Sequence, residues 1–231
     1  MDHDLKNALW TLKMTMREKL EALGISEHAF KFYCEVFIQN WQRYMIKKDN
    51  QDWQVIKSKT GKFVKLDEHV IGYHLLGKYW VGVFAPQVPP YLCIDIDASE
   101  SLPLIYRTVR AWVTHPIVFQ SSGSKGLHVY AFLEFNFPIR AKKLISITSM
   151  ELKMRGVETE PGICEAFPVP NKFLRLPLGK GSCLLDPKTL TPMRVTLAES
   201  IKFIKDNLYR HRFGELFPGL YRKIGRSNVK F

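Results

Sequence analysis

No apolar run in this sequence approaches the ~20 residues that a helix needs to cross a bilayer. The opening residues, MDHDLKNALW, begin with acids and lack the charged-then-apolar leader of a secreted precursor. A cytoplasmic protein with no membrane partner is therefore expected. Cysteine is sparse: Cys34, Cys93, Cys164 and Cys183 form no C-x-x-C pair, and three of them lie in apolar, strand-like surroundings. Buried free thiols are expected from this, rather than disulfides or zinc ligands. The phosphate-binding pattern G-x-x-x-x-G-K-[ST] is missing, as are internal repeats and low-complexity tracts. Acids are also in short supply. The chain has 22 Asp and Glu against 34 Lys and Arg, a formal net charge of +12 at pH 7. Such an excess favours a polyanionic partner, and nucleic acid is the natural candidate.

What is present is an ordinary soluble composition, 46% apolar and 24% charged, in 231 residues, enough for one large domain with small appendages. Within it, Tyr91-Leu92-Cys93-Ile94-Asp95-Ile96-Asp97 reads as a short buried strand that carries two acids one residue apart. Side chains alternate along a strand, so Asp95 and Asp97 point one way while Ile94 and Ile96 point into a core. Two neighbouring carboxylates repel and are not easily buried without a cation or a proton. Two divalent ions would make the arrangement favourable, and hard oxygen ligands suit Mg²⁺ or Mn²⁺. A strand end with both acids merely solvated is the other reading.

Along the chain, residues 4–22 and a second stripe from Ser26 to near Lys47 have helical periodicity. Residues 53–58 and 63–66 read as a hairpin through Thr60-Gly61, and 67–76 as a short helix closed by Gly77. Strands are expected at 79–84, 116–120, 127–135, 163–167, 173–176 and 183–185, with helices at 101–112, 140–155 and 197–210. The tail from His211 to Phe231 is basic and broken by glycines. Strands and helices intersperse without a strict βαβ rhythm, which predicts an α+β fold with a mixed or antiparallel sheet. The expected layout is a helical N-terminal cap (1–50), a catalytic core (51–195) and a C-terminal helix with basic tail (196–231), packed as one unit.

A second cluster follows the acidic strand by one helix and one strand: Ser121-Ser122-Gly123-Ser124-Lys125-Gly126-Leu127-His128. Gly123 and Gly126 permit backbone conformations that line up N–H groups around an anion. Ser122 and Ser124 add hydroxyls, Lys125 a point charge, and His128 a further donor at the start of the next strand. This is a candidate triphosphate clamp; a glycine turn with a core histidine is the alternative. Glu165 in Gly162-Ile163-Cys164-Glu165-Ala166-Phe167 is an acid in an apolar strand and a candidate third metal ligand. Asp186, before Pro187, competes for that role but is more simply a turn residue. Arg175, a lone charge among apolar residues, is either a phosphate or template contact or the ion-pair partner of one of these acids.

Taken together, CIDID, SSGSKGLHVY and a later acid in an apolar strand resemble the three signature motifs of the archaeo-eukaryotic primase superfamily. These are hhhDhD, small-x-His (here Gly126-Leu127-His128) and a later hD or hE. The string SGSKGLH is similar to the polymerase domain of bacterial ligase D. The run from Gly72 through the acidic strand, with ICEAFP and FLRLPLG, resembles primase-polymerases of mobile elements and CRISPR-linked systems. The resemblance covers about residues 70–190. It implies a DNA primase or polymerase with an RRM-like sheet, adding dNTP or NTP to a 3′-hydroxyl on a DNA template or primer and releasing pyrophosphate. Asp95, Asp97 and Glu165 would hold two Mg²⁺ or Mn²⁺ ions, and Ser122, Ser124, Lys125, His128 and Arg175 the nucleotide. A helicase or another replication or repair domain is an expected partner. Two features depart from the superfamily pattern: the third acid is a Glu in a Cys-Glu-Ala-Phe-Pro setting, and there is no zinc-knuckle cysteine cluster. A metal-dependent nuclease and a non-catalytic single-strand binding module are the rival readings.

Overall fold

Four helices begin in the same way. Thr15, Ser26, Asp67 and Thr196 each turn a side-chain oxygen back to accept the backbone N–H three residues on. A cap of this kind satisfies one of the donors that a helix start leaves open. Gly77 and Gly156, with φ of 78° and 80°, follow the ends of two helices where a left-handed residue is wanted. The structure is a computed structural model that describes residues 13–38, 40–97, 99–121, 126–134 and 139–218.

The described helices are α1 (Met16–Ala22), α2 (Glu27–Phe37), α3 (Glu68–Leu75), α4 (Leu102–Trp112), α5 (Ala141–Met154), α6 (Leu197–Asp206) and α7 (Phe213–Leu216). The strands are β1 (Tyr44–Lys47), β2 (Gln54–Val55), β3 (Trp80–Phe84), β4 (Tyr91–Ile96) and β5 (Ile117–Gln120). They continue with β6 (Leu127–Leu133), β7 (Cys164–Phe167), β8 (Phe173–Arg175), β9 (Cys183–Leu185) and β10 (Arg210–His211). The strands make two sheets. The larger runs β7-β4-β6-β5-β9, all antiparallel, and β10 adds in parallel to the end of β6 beyond its pairing with β5. The smaller runs β2-β1-β3-β8, again antiparallel. This is the expected α+β fold.

Alternation on β4 and β6 divides the core in two. Leu92, Ile94, Ile96, Val129 and Ala131 face α4 and α5, whereas Tyr91, Cys93, Tyr130 and Phe132 face the smaller sheet with α1, α2, α3 and α6. The larger sheet is thus the middle layer. Phe37 fastens α2 to it, its ring edge-on to Phe119, Tyr130 and Phe132 at centroid distances of 5.9, 5.4 and 6.0 Å.

Three expectations change. The second helix does not run to Lys47 but ends at Phe37, and Tyr44–Lys47 form β1 between β2 and β3. Over such a short span an apolar helical stripe and a strand share the same residues, and pairing with Val81 and Val83 decides for the strand. The last long helix stops at Asp206 and not at 210, because Arg210 and His211 pair with Phe132 and Leu133. The tail is regular as far as α7, where Phe217 packs on Trp112 at 5.7 Å. Residues 4–12 of the first expected helix and 219–231 of the tail lie outside the described residues. Among the described residues no helix is long and apolar enough to cross a membrane.

Phe37 is 1% exposed and Phe63 52%. Phe37→Ala is expected to cost roughly 3–5 kcal/mol of stability, read as a lower denaturant midpoint. Phe63→Ala should leave the midpoint nearly unchanged.

Candidate active site

β4 lies between β6 and β7, and its register decides what meets what. Asp95 is paired with His128 on one side and with Glu165 on the other. Paired residues share a face of the sheet, so the three side chains stand in a row across three strands. His128 Nε2 is 3.4 Å from Asp95 Oδ1. Ile94 and Ile96 point the other way and are fully buried, as the alternation predicts. Asp97 follows the end of β4, and its N–H donates to the Ile163 carbonyl at 2.9 Å. Its carboxyl pKa is raised, first by burial and then by the charges of Asp95 and Glu165; His128 and Arg175 act the other way. Asp97 therefore shares one electrostatic field with the other two acids.

Beyond this row the two sheets separate into a cleft of about 770 Å³. Asp95, His128 and Glu165 line one wall. The smaller sheet and its hairpin supply the other, with Trp53, Phe63, Phe84 and Phe173 among Arg43, Lys57 and Arg175. Gly82 makes room for this wall: a Cβ there would lie 2.3 Å from the Phe173 ring, which packs against Trp53 at 4.6 Å. Arg175 pairs with Gly82 on β3, and its guanidinium is 5.7 Å from the Trp53 ring centre. Burial lowers its pKa, while the charges of Asp95 and Asp97 raise it. Arg175 thus faces the acids from across the cleft.

Glu165 has its own cation. Lys172 Nζ donates to Glu165 Oε1 at 2.5 Å, from the turn that joins β7 to β8. Asp186 is employed elsewhere. Its carboxylate accepts the amides of Lys188 and Thr189 at 2.6 and 3.1 Å, which holds its pKa down. It follows β9, three strands from β4 in the sheet order, a separation of roughly 14 Å. The loop that carries Ser122, Gly123, Ser124 and Lys125 lies outside the described residues, but its base does not. Ser121 N–H donates to the Gly126 carbonyl at 2.8 Å. A Cβ on Gly126 would lie 3.0 Å from the Ile96 carbonyl and 3.5 Å from the Asp97 Cα. The loop therefore leaves and rejoins the sheet beside Asp97, with His128 two residues further on.

Residues 23–160 match the family model described as "TOTE conflict system, Archaeo-Eukaryotic Primase domain". The chain belongs to this primase family. The matched segment holds Asp95, Asp97 and His128 and ends before Glu165, Lys172 and Arg175. No curated protein matches the chain. Among solved structures, it is similar to the polymerase domain of Mycobacterium tuberculosis ligase D in complex with DNA. That similarity has a TM-score of 0.43 and 15% identity, over 94% of this chain and 95% of that one. It is also similar to the primase-polymerase domain of cyanophage S-2L, with a TM-score of 0.41 and 11% identity, over 80% and 98% of the two chains.

In this primase-family domain the donor chemistry fits hard cations. Asp95, Asp97 and Glu165 offer carboxylate oxygens, and the neighbouring Cys164 faces the opposite core with its thiol pushed up to about 12 by burial. Among the described residues no three His, Cys, Asp or Glu side chains form a ready-made metal cage. The acids instead share the cleft with the cations of Lys172 and Arg175. The aromatic and cationic wall was not foreseen from the sequence. Phe63, half-exposed between Arg43 at 5.9 Å and Lys57 at 5.6 Å, is its clearest departure from packing.

A carboxyl whose pKa is raised by folding adds stability below its unfolded value and loses it as pH climbs through the folded value. Ionised Asp97 is therefore a cost near neutrality. In the presence of a chelator, Asp97→Asn should raise Tm at pH 7, and the gain should shrink as pH falls through the carboxylate range.

Proposed function

We propose that this domain is a template-directed nucleotidyltransferase that adds nucleotides to a 3′-hydroxyl and releases pyrophosphate. One observation carries the reading: Asp95 stands in register between His128 and Glu165, at the foot of the serine-glycine loop and opposite an aromatic, cationic wall. Membership of the primase family supports a nucleotidyltransferase-type function. Asp95, Asp97 and Glu165 would hold two divalent ions, Mg²⁺ or Mn²⁺, which lower the pKa of an attacking hydroxyl and neutralise a departing pyrophosphate.

The chain's own residues do the positioning. Ser122, Ser124 and Lys125 hold the triphosphate, with His128 as a further donor at the strand entry. Arg175, across the cleft, balances the added charge. Trp53, Phe63 and Phe173 provide faces on which bases stack, with Arg43 and Lys57 beside them for phosphates of the DNA strand. A nuclease would have no triphosphate to hold, so the serine-glycine loop argues against that rival. A non-catalytic single-strand binder would gain from the wall but be opposed by acids facing the same cleft, which repel a phosphate backbone unless cations bridge them.

Asp95→Ala and Asp97→Ala should each abolish incorporation with Mn²⁺ or Mg²⁺ supplied while DNA affinity stays near wild type; extension at the wild-type rate by either rules out the assignment. His128→Ala should raise the apparent nucleotide KM about 10- to 100-fold, the loss of a hydrogen bond to a charged group. Lys125→Ala should raise it as well. Release of labelled pyrophosphate from dNTP on a primed template separates synthesis from nucleolysis.

A further inference from the structure

We propose that Lys172 is a resident counter-ion for Glu165, drawn off by incoming nucleotide phosphates so that metal binding at Glu165 is coupled to nucleotide binding. This rests on the reading of Glu165 as a metal ligand. The lysine ammonium sits on Glu165 Oε1 at 2.5 Å. A divalent ion seeking that oxygen meets a cation already in place.

The Lys172 ammonium is held there by its contact with Glu165. The turn beneath it is fixed: Lys172 N–H donates to the Val169 carbonyl at 3.1 Å, and Arg43 Nη2 donates to Asn171 Oδ1 at 3.0 Å. Asn171 takes a left-handed φ of 64°, which asparagine tolerates better than most residues. The Lys172 side chain itself is 50% exposed, against 23% for Glu165. It can swing into the cleft about its four-carbon stem while the backbone stays put. Arg175 is a poorer candidate for such movement, because it is half-buried against Trp53 and faces Asp95 and Asp97 together.

The consequence is a linkage. Without nucleotide, Lys172 competes with a divalent ion for Glu165. A triphosphate in the same cleft offers the ammonium a stronger partner, and Glu165 is released to the ion. By reciprocity the ion must tighten nucleotide binding by the same factor. The coupling also limits ion loading when no substrate is present.

The test is a Mn²⁺ titration followed by electron paramagnetic resonance, on wild type, Lys172→Met and Glu165→Gln. Each is measured with and without a non-hydrolysable dATP analogue, and circular dichroism checks the fold. Lys172→Met should bind Mn²⁺ alone about two- to five-fold more tightly than wild type, the scale of a half-exposed ion pair. The tightening of Mn²⁺ produced by the analogue should be smaller in Lys172→Met than in wild type. Unchanged or weaker Mn²⁺ binding by Lys172→Met, with Glu165→Gln impaired, overturns the counter-ion role and leaves the metal reading standing. Unchanged Mn²⁺ binding by Glu165→Gln overturns both.

Discussion

The site depends on the register of β4 between its two neighbours. A slip of one residue would carry Asp95 into the core that holds Ile94 and turn Ile94 into the cleft. Burial forbids the exchange. Leu92, Ile94 and Ile96 are completely inside, and Val129, Ala131 and Ala166 from the flanking strands pack in the same cluster. The apolar side of the sheet thus fixes the position of the polar side. The aromatic contacts of Phe37 with Phe119, Tyr130 and Phe132 anchor the α2 side of the larger sheet next to the cleft. Precise placement of charge here is a by-product of packing on both faces.

Charge within the cleft is close to balanced. Three carboxylates face Lys172 and Arg175, with His128 at the edge of the row. Like-charge repulsion remains at Asp97, where burial and its neighbours disfavour ionisation. That repulsion is local, since Arg43 and Lys57 line the same cleft from its other wall. The surplus of +12 over the whole chain makes approach by nucleic acid favourable at long range.

The acid row was legible in the sequence because strand periodicity leaves little freedom. An acid in an apolar strand avoids the core face, which sets the side on which Asp95 and Glu165 lie, while the pairing of β4 with β6 and β7 brings them into one row with His128. Asp186 was legible for the opposite reason, as its neighbouring proline marks a turn. The second wall was not legible. It needs β3 to pair with β1 and, about 90 residues further along the chain, with β8, and no local pattern specifies those pairings. The residues up to Lys47 carry a helical stripe that only the partner strand overrides. Lys172 was missed because a lysine in a Pro-Asn-Lys turn has the look of an ordinary solvated loop residue. The serine-glycine loop, which the sequence marks most strongly, lies outside the described residues apart from its base.

The chain's return after α6 has a practical meaning. β10 lies along the stretch of β6 that β5 leaves uncovered, and α7 closes over Trp112, whose indole N–H donates to the Leu216 carbonyl. An abridged domain ending with α6 would bare an unpaired strand border next to an uncovered indole, a combination that invites self-association. The smallest well-behaved version for expression therefore has to extend at least through Phe217.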